Sequence, residues 1–185
     1  MIWENNDDIR LEHCDHSRRE IQHVLDTCRE ERRPYVITTP LTSNLSPLTS
    51  ILVPVTMLEE EVYKAEICTY LARKTGAHLI LLRANDYGSK ATKNTQRIIT
   101  HIQTIAERTG KPITYEERIA KGDSFHIHKE LHNYPADFQL ILLTASREYG
   151  LDDWLFGPPE QYVIRHSKVP VMLINPRADL FSLCD

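Results

Sequence analysis

The chain has 185 residues, is 41% hydrophobic and 26% charged, and carries a formal net charge of −4 at pH 7. These values are ordinary for one globular domain with an appendage, and the acidic charge excludes the basic patch of a nucleic-acid or anionic-membrane binder. The N-terminus is polar, and no apolar run approaches the ~18 residues of a membrane span. The four cysteines are scattered. We therefore expect a cytoplasmic protein with reduced thiols.

Residues 1–40 are predicted to form a helix and a strand, ahead of a linker over 41–50. Four apolar residues at helical spacing mark the helix, and a basic connection with a proline separates it from an apolar strand over 35–39. We therefore interpret this segment as an N-terminal helix–strand extension. The helical positions are Ile21, Val24, Leu25 and Cys28.

From Ile51 onward, apolar strand-like runs alternate with amphipathic helix-like runs. The alternation predicts an α/β fold in which helices cover both faces of a parallel sheet, and the polar alternation of the third strand favours a place near the edge. The predicted strands cover 51–55, 77–82, 113–122, 139–144 and 169–174. The predicted helices cover 58–76, roughly 91–109, 123–134 and 158–167, the first of them ending at Gly76.

The strand ends of this predicted sheet locate its candidate site. Ligands of parallel α/β sheets bind beyond the carboxyl ends of the strands. The loops that begin near Thr56, Arg83 and Thr144 are therefore the ones in which a ligand is expected.

The region 51–175 resembles a universal stress protein domain. The resemblance rests, in chain order, on ILVPV, a helix that ends in TGA, HLILL, KGDSFHIHKEL and QLILLTASREYGLDDWLFGPPEQYVIRHSKVPVMLIN. It implies a Rossmann-like, adenine nucleotide alpha hydrolase-like fold with a five-stranded parallel sheet in the order 3-2-1-4-5, and dimers that pair through the last strand. On this interpretation the family-like domain covers 51–176 and a C-terminal tail covers 177–185.

One branch of that family binds ATP through the motif Gly-x-x-Gly-x9-Gly-Ser/Thr and an Asp at the end of the first strand. The resemblance places Thr144 and Arg147 at the first two glycine positions and Pro158 at the Ser/Thr position. Thr56 stands where the Asp is expected, and only Gly157 matches. The motif is therefore degenerate, and the pocket that it implies would consist of these residues together with Arg83.

The departures from the motif have physical meaning. Thr144 and Arg147 carry side chains where glycine would let the backbone approach a phosphate. Pro158 and Pro159 have no N–H to donate at a helix start, and Glu160 adds a negative charge there. We therefore expect that ATP binding is lost and that no cofactor is bound. As the alternative, the Arg147 guanidinium could compensate and hold ATP or AMP.

Two histidine-containing segments raise the alternative of a metal site. His128 and His132 are four residues apart, with His126 close by, and could share a metal ion. In the order His-Lys-Glu-Leu-His, however, the Glu does not lie on the helix face of the two histidines. The residues of the second segment, 13–16, are contiguous and therefore do not share a helix face. Surface histidines that bind no metal are the default expectation.

The N-terminal extension resembles the last helix and strand of a preceding stress-protein repeat. Its segment HSRREIQHVLDTCREERRPYVITTP parallels PPEQYVIRHSKVPVMLINP at the other end of the chain. We expect strand 35–39 to pair antiparallel with 169–174 and so cover the sheet edge. Alternatively, the helix of the extension packs elsewhere.

These observations favour a non-catalytic binding or regulatory module that acts through protein partners or assembly, either as a homodimer through the last strand or as an internal pseudo-dimer. A nucleotide or small-ligand sensor with an altered pocket is the alternative. An enzyme is the least supported class, because no nucleophile, acid–base pair or metal set converges.

Overall fold

The structure is a computed structural model and describes residues 9–31, 33–42, 47–108, 112–135, 137–146 and 158–175. Its strands are β1 (Arg10–His13), β2 (Tyr35–Thr38), β3 (Ser50–Val55), β4 (His78–Arg83), β5 (Tyr115–Ile119), β6 (Leu140–Thr144) and β7 (Val171–Ile174). Its helices are α1 (Arg18–Glu30), α2 (Lys64–Thr75), α3 (Ser89–Arg108), α4 (His128–Leu131) and α5 (Pro159–His166), and a 3-10 helix covers Glu59–Tyr63.

One mixed sheet of seven strands runs through the described residues in the order β1-β2-β7-β6-β3-β4-β5. The sheet is larger than the five strands expected for residues 51–176, because the N-terminal extension adds β2, which was predicted, and β1, which was not. Within the group β3 to β7, every pair of neighbouring strands is parallel. The order of these five strands is the implied 3-2-1-4-5. β5 lies at the edge, as its alternating sequence predicted.

β2 pairs antiparallel with β7, which confirms the predicted contact between the N-terminal and the last strand. Tyr35 lies opposite Leu173, and Ile37 lies opposite Val171. Since β6 borders the other side of β7, both backbone edges of the last strand are paired within the chain. A second copy could therefore pair with β7 only after β2 had been displaced.

Asn175 fixes the end of α1 to the end of β7. Its buried Nδ2 donates to the carbonyl oxygens of Arg29 at 2.6 Å and Glu31 at 2.7 Å. The last carbonyls of a helix have no partner inside the helix, so the Asn175 side chain acts as a cap supplied from the other end of the chain.

The β1–α1–β2 segment repeats the hydrogen bonding of β6–α5–β7. Arg10 N donates to Pro34 O at 3.0 Å, and Ile141 N donates to Pro170 O at 3.1 Å in the equivalent place. Sequence reasoning missed β1 because Arg10 and Glu12 stand where its counterpart β6 is apolar. Charged residues at an edge strand discourage pairing with other chains.

The sheet separates two apolar cores. α2 and α3 cover one face, where Val53 and Leu81 are buried. α1, α4 and α5 cover the other face, where Leu52 and Leu82 are buried. Alternate strand residues therefore enter opposite cores, which is why the strand sequences are apolar on both sides.

The helix ends follow local chemistry. Gly76 has a φ of 76° and donates its N–H to Ala72 O at 2.8 Å, the C-terminal stop that was predicted. The predicted helix over 123–134 was too long, since only His128–Leu131 is α-helical. Asp123 Oδ1 accepts from the amides of Phe125 and His126, a local turn that competes with helix formation.

Candidate functional site

Three of the predicted site residues lie along one edge of the sheet. Thr56 directly follows β3, while Arg83 ends β4 and Thr144 ends β6. β3 lies between β4 and β6, so the three positions line neighbouring strand ends. Arg147 and Gly157 lie outside the described residues. Pro158 is buried and forms the extended N-cap of α5 without a capping side chain.

A buried carboxylate occupies the junction between β6 and α5. Glu160 is 3% exposed, and its oxygens accept from Ser146 N at 3.0 Å and from Ser146 Oγ at 2.8 Å. The Arg29 guanidinium lies 3.7 Å from the same carboxylate. Burial raises the pKa of Glu160, against the smaller lowering effects of these hydrogen bonds and of Arg29.

Glu160 thereby takes two donors at the end of β6 that could otherwise face an anion. The amide and the hydroxyl of Ser146 point at the carboxylate, and Pro158 and Pro159 contribute no N–H at the helix start. The sequence indicated that Glu160 would repel phosphate. It did not indicate that the side chain turns inward, because an acidic residue in a first turn is usually exposed to water.

A second buried carboxylate stands beneath the loop after β3. Glu61 is 4% exposed and Lys64 is 2% exposed, and Lys64 Nζ lies 2.5 Å from Glu61 Oε2. The ammonium group also donates to Pro54 O at 2.5 Å, while Thr56 N donates to Glu61 Oε2 at 3.3 Å. Sequence reasoning missed this ion pair.

The other amides of the same loop also have acceptors inside the chain. Met57 N donates to Ser124 Oγ at 2.8 Å, and Leu58 N approaches Thr56 Oγ1 at 3.4 Å. Ser124 Oγ in turn donates to Asp86 Oδ2 at 2.6 Å. The loops after β3, β4 and β5 are therefore joined in one network that uses the backbone donors of the candidate pocket.

Arg83 and Thr144 do not converge on a common point. Arg83 Nε donates to Glu117 Oε1 at 3.0 Å, which directs its charge toward the edge strand β5. Thr144 Oγ1 is buried and has no hydrogen-bond partner in the described part of the chain. Of the predicted positions that the structure describes, Thr56, Arg83 and Thr144 lie on one edge, and they form no cationic phosphate clamp among themselves.

The histidines that suggested a metal surround a tyrosine ring. His128 and His132 each lie 5.7 Å from the Tyr162 ring, and His166 lies 4.3 Å from it. Burial lowers the pKa of both His128 and His132. Within the described ranges, no three His, Cys, Asp or Glu side chains are grouped as metal ligands would be. In the other candidate segment, 13–16, Cys14 is buried, and burial raises the pKa of its thiol to about 11.

The Glu160 carboxyl group gives the protein a predictable pH response. Because its pKa is raised in the folded state, its contribution to stability is present below its ordinary value of 4.5 and is lost as the pH rises through the folded pKa. Glu160→Gln should remove this dependence. The unfolding free energy of the variant should therefore increase relative to that of the wild type as the pH rises from 4.5. Chemical denaturation across pH measures the difference, and Glu30→Gln, at an exposed position, is the control. A constant difference between wild type and Glu160→Gln would contradict the assignment.

The comparisons with known proteins point to one family. The family model described as the universal stress protein family matches residues 48–175. No curated protein matches the chain at the sequence level. None of the helices in the described ranges has the length and apolarity needed to cross a bilayer.

Three solved structures share the fold at low identity. A universal stress protein from Archaeoglobus fulgidus has a TM-score of 0.69 and 18% identity, over 96% of this chain and 64% of that one. A universal stress protein in complex with cAMP has a TM-score of 0.56 and 17% identity, over 71% and 100%. The universal stress protein UspA from Lactobacillus plantarum has a TM-score of 0.53 and 20% identity, over 70% and 99%. The chain therefore spans 64% of the length of the first of these proteins.

Proposed function

Because the chain belongs to the universal stress protein family, we propose that it is a non-catalytic binding or regulatory module of the cytoplasm that has lost ATP binding and acts through protein partners or assembly. One observation carries the proposal. In the described part of the strand-end loops, three backbone donors are taken by the chain's own side chains, namely Thr56 by Glu61, Met57 by Ser124 and Ser146 by Glu160.

The charges around these loops support the same conclusion. A triphosphate needs several backbone donors or cations, and it is repelled by carboxylates at short range. Glu61 and Glu160 are buried beside neighbouring strand ends, and their partners Lys64 and Arg29 already face them. Binding ATP here would require these carboxylates to move away. The buried Lys64 ammonium group and the Ser146 hydroxyl would then lose their carboxylate partners.

A nucleotide or small-ligand sensor is the second candidate function. It is favoured by the structural neighbour that was solved in complex with cAMP. A cyclic nucleotide carries one phosphate with a single charge and needs fewer donors than a triphosphate. A site for it would use Thr56, Arg83 and Thr144, whose Oγ1 is buried without a hydrogen-bond partner in the described residues, together with Arg147, Gly157 and Pro158.

Thermal unfolding in the presence of nucleotides separates the two candidates. A ligand at ~100 times its Kd would stabilise the folded state by about 2.7 kcal/mol. We expect no shift of Tm with ATP, AMP or cAMP at millimolar concentration. A saturable rise with cAMP alone would favour the sensor, and a rise with ATP would overturn the proposed function.

A further inference from the structure

Three histidine rings surround the ring of Tyr162 where α4 meets α5. His128 begins α4 and His132 is its C-cap, and the ring of each lies 5.7 Å from the Tyr162 ring. His166 of α5 lies 4.3 Å from the Tyr162 ring and 5.5 Å from the His132 ring. These four rings, which we call the histidine–tyrosine cluster, therefore join the two helices through aromatic contacts.

The hydrogen bonding around His132 suits a neutral ring. An imidazolium carries two N–H groups, and each of them needs an acceptor. His132 Nδ1 is buried and has no hydrogen-bond partner among the described residues, while His132 Nε2 lies 2.7 Å from Asn133 Nδ2, which is a donor. A second proton on His132 would therefore find no acceptor in the described part of the fold, whereas water would supply one if the helices moved apart.

The surroundings of the two histidines next to α4 also disfavour a positive charge. Burial lowers the pKa of His128 and of His132, and neighbouring Lys and His side chains lower it further. These neighbours are Lys129 and His126 for His128, and His166 and Lys168 for His132. A backbone hydrogen bond with Phe125 raises the pKa of His128, but this effect is smaller than that of burial.

The carboxylates of the elements that pack around the cluster have other partners. Asp123 Oδ1 lies 2.7 Å from His126 Nδ1, and the Glu130 side chain accepts from two backbone amides of the preceding loop at 3.1 and 3.3 Å. Glu160 of α5 is buried and faces Arg29 of α1. Among the described residues, no carboxylate therefore offers the cluster a counter-charge.

The turn before α4 connects the cluster to the strand-end loops. Ser124 lies four residues before His128. Its Oγ accepts from Met57 N at 2.8 Å and donates to Asp86 Oδ2 at 2.6 Å. Movement of α4 away from α5 would therefore disturb contacts that fix the loops after β3 and β4.

We propose that the histidine–tyrosine cluster is a pH-sensitive latch, in which proton uptake by the histidines below neutral pH loosens α4 from α5 and frees the loops that Ser124 holds. In the closed form the rings are neutral and packed, and in the open form they are hydrated and protonated. This inference goes beyond the proposed function, because it concerns how the loops are held and applies to any ligand that they bind.

The direction of the pH response follows from the lowered pKa values. The closed form binds protons more weakly than the open form, in which the histidine pKa has its ordinary value of 6.5. The latch is therefore fully closed above that value and weakens as the pH falls through it. One proton that only the open form binds changes the opening equilibrium about tenfold per pH unit.

Hydrogen exchange of the full chain without ligand, followed by NMR, tests the latch. Protection factors, which are corrected for the intrinsic pH dependence of exchange, would be compared at about pH 5.5 and about pH 7.5. The reporters are the amide of Glu130, which donates to Ile127 O at 3.1 Å, and that of Met57. We expect the protection of both amides to be about tenfold lower at the lower pH. The amide of Leu79 in β4 is the internal reference and should change less than about twofold.

The double variant His128→Gln/His132→Gln removes the two titrating rings next to α4. Its protection factors at the two pH values should differ by less than about twofold. His101→Gln, at an exposed position of α3, is the matched control and should retain the wild-type response. Unchanged protection of the wild-type amides at the lower pH, or a loss that persists in the double variant, would overturn the latch. The wild-type comparison decides the matter alone if the double variant does not fold.

The two reporter amides separate the latch from its connection to the loops. Loss of protection at Glu130 without loss at Met57 would overturn the release of the strand-end loops. Neither result depends on nucleotides, since no ligand is present during exchange. Saturable stabilisation by ATP would therefore overturn the proposed function and leave the latch in place.

Discussion

Replacing Lys64 with Met is expected to lower the free energy of unfolding by about 3–5 kcal/mol. Lys64 is 2% exposed and lies against the equally buried Glu61 and the carbonyl of Pro54. Its removal leaves the Glu61 carboxylate buried without a counter-charge. Denaturant unfolding monitored by circular dichroism gives the difference, with Lys74→Met, at an exposed position of the same helix, as the control.

The double variant Glu61→Gln/Lys64→Met distinguishes an ion pair from simple packing. Removing both charges together should restore most of the lost stability, because a buried pair replaced by neutral groups is often close to neutral overall. Lys74→Met should change stability by less than about 0.5 kcal/mol. A double variant as unstable as Lys64→Met would mean that Glu61 is not the partner that makes Lys64 important.

Val36→Asp is expected to lower the free energy of unfolding by about 4 kcal/mol, because it buries a charge without a partner. Val36 is fully buried in β2, opposite Met172 of β7, within the core that α2 and α3 cover. Displacement of β2 would also open the edge of β7. Hydrogen exchange should therefore become faster in β7 as well as in β2, and native mass spectrometry should detect association of copies.

The control for this prediction is the same substitution on the neighbouring strand. Leu11 lies opposite Val36 in the β1–β2 pairing but is 42% exposed. Leu11→Asp should therefore change the unfolding free energy by less than about 0.5 kcal/mol. If Val36→Asp were as mild as Leu11→Asp, β2 would not be an integral strand of the sheet.

Much of the fold could be predicted from the sequence, because apolar periodicity directly reflects burial. The buried residues of α1, Ile21, Val24, Leu25 and Cys28, are those that its helical spacing indicated. The antiparallel pairing of β2 with β7 followed from the similarity between the two ends of the chain. β1 was missed, because an edge strand that carries Arg10 and Glu12 has no apolar run to reveal it.

The position of three candidate residues in the sheet was predictable, but their contacts were not. Parallel topology places Thr56, Arg83 and Thr144 at one edge of the sheet, and the structure agrees. The inward turns of Glu61 and Glu160 depend on partners distant in the chain, such as Arg29 for Glu160. Local sequence contains no signal for such contacts, since a glutamate in a first helical turn is normally exposed.

An NMR titration of the backbone amides tests most directly whether the pocket is filled by the chain itself. The full, isotopically labelled chain would be titrated with ATP to millimolar concentration, and the amides of Thr56, Met57 and Ser146 would be followed. These amides donate to Glu61, Ser124 and Glu160, so we predict that their resonances do not move. Saturable shifts of the three resonances together would contradict the account, because they would show that a nucleotide reaches donors assigned to the protein's own side chains.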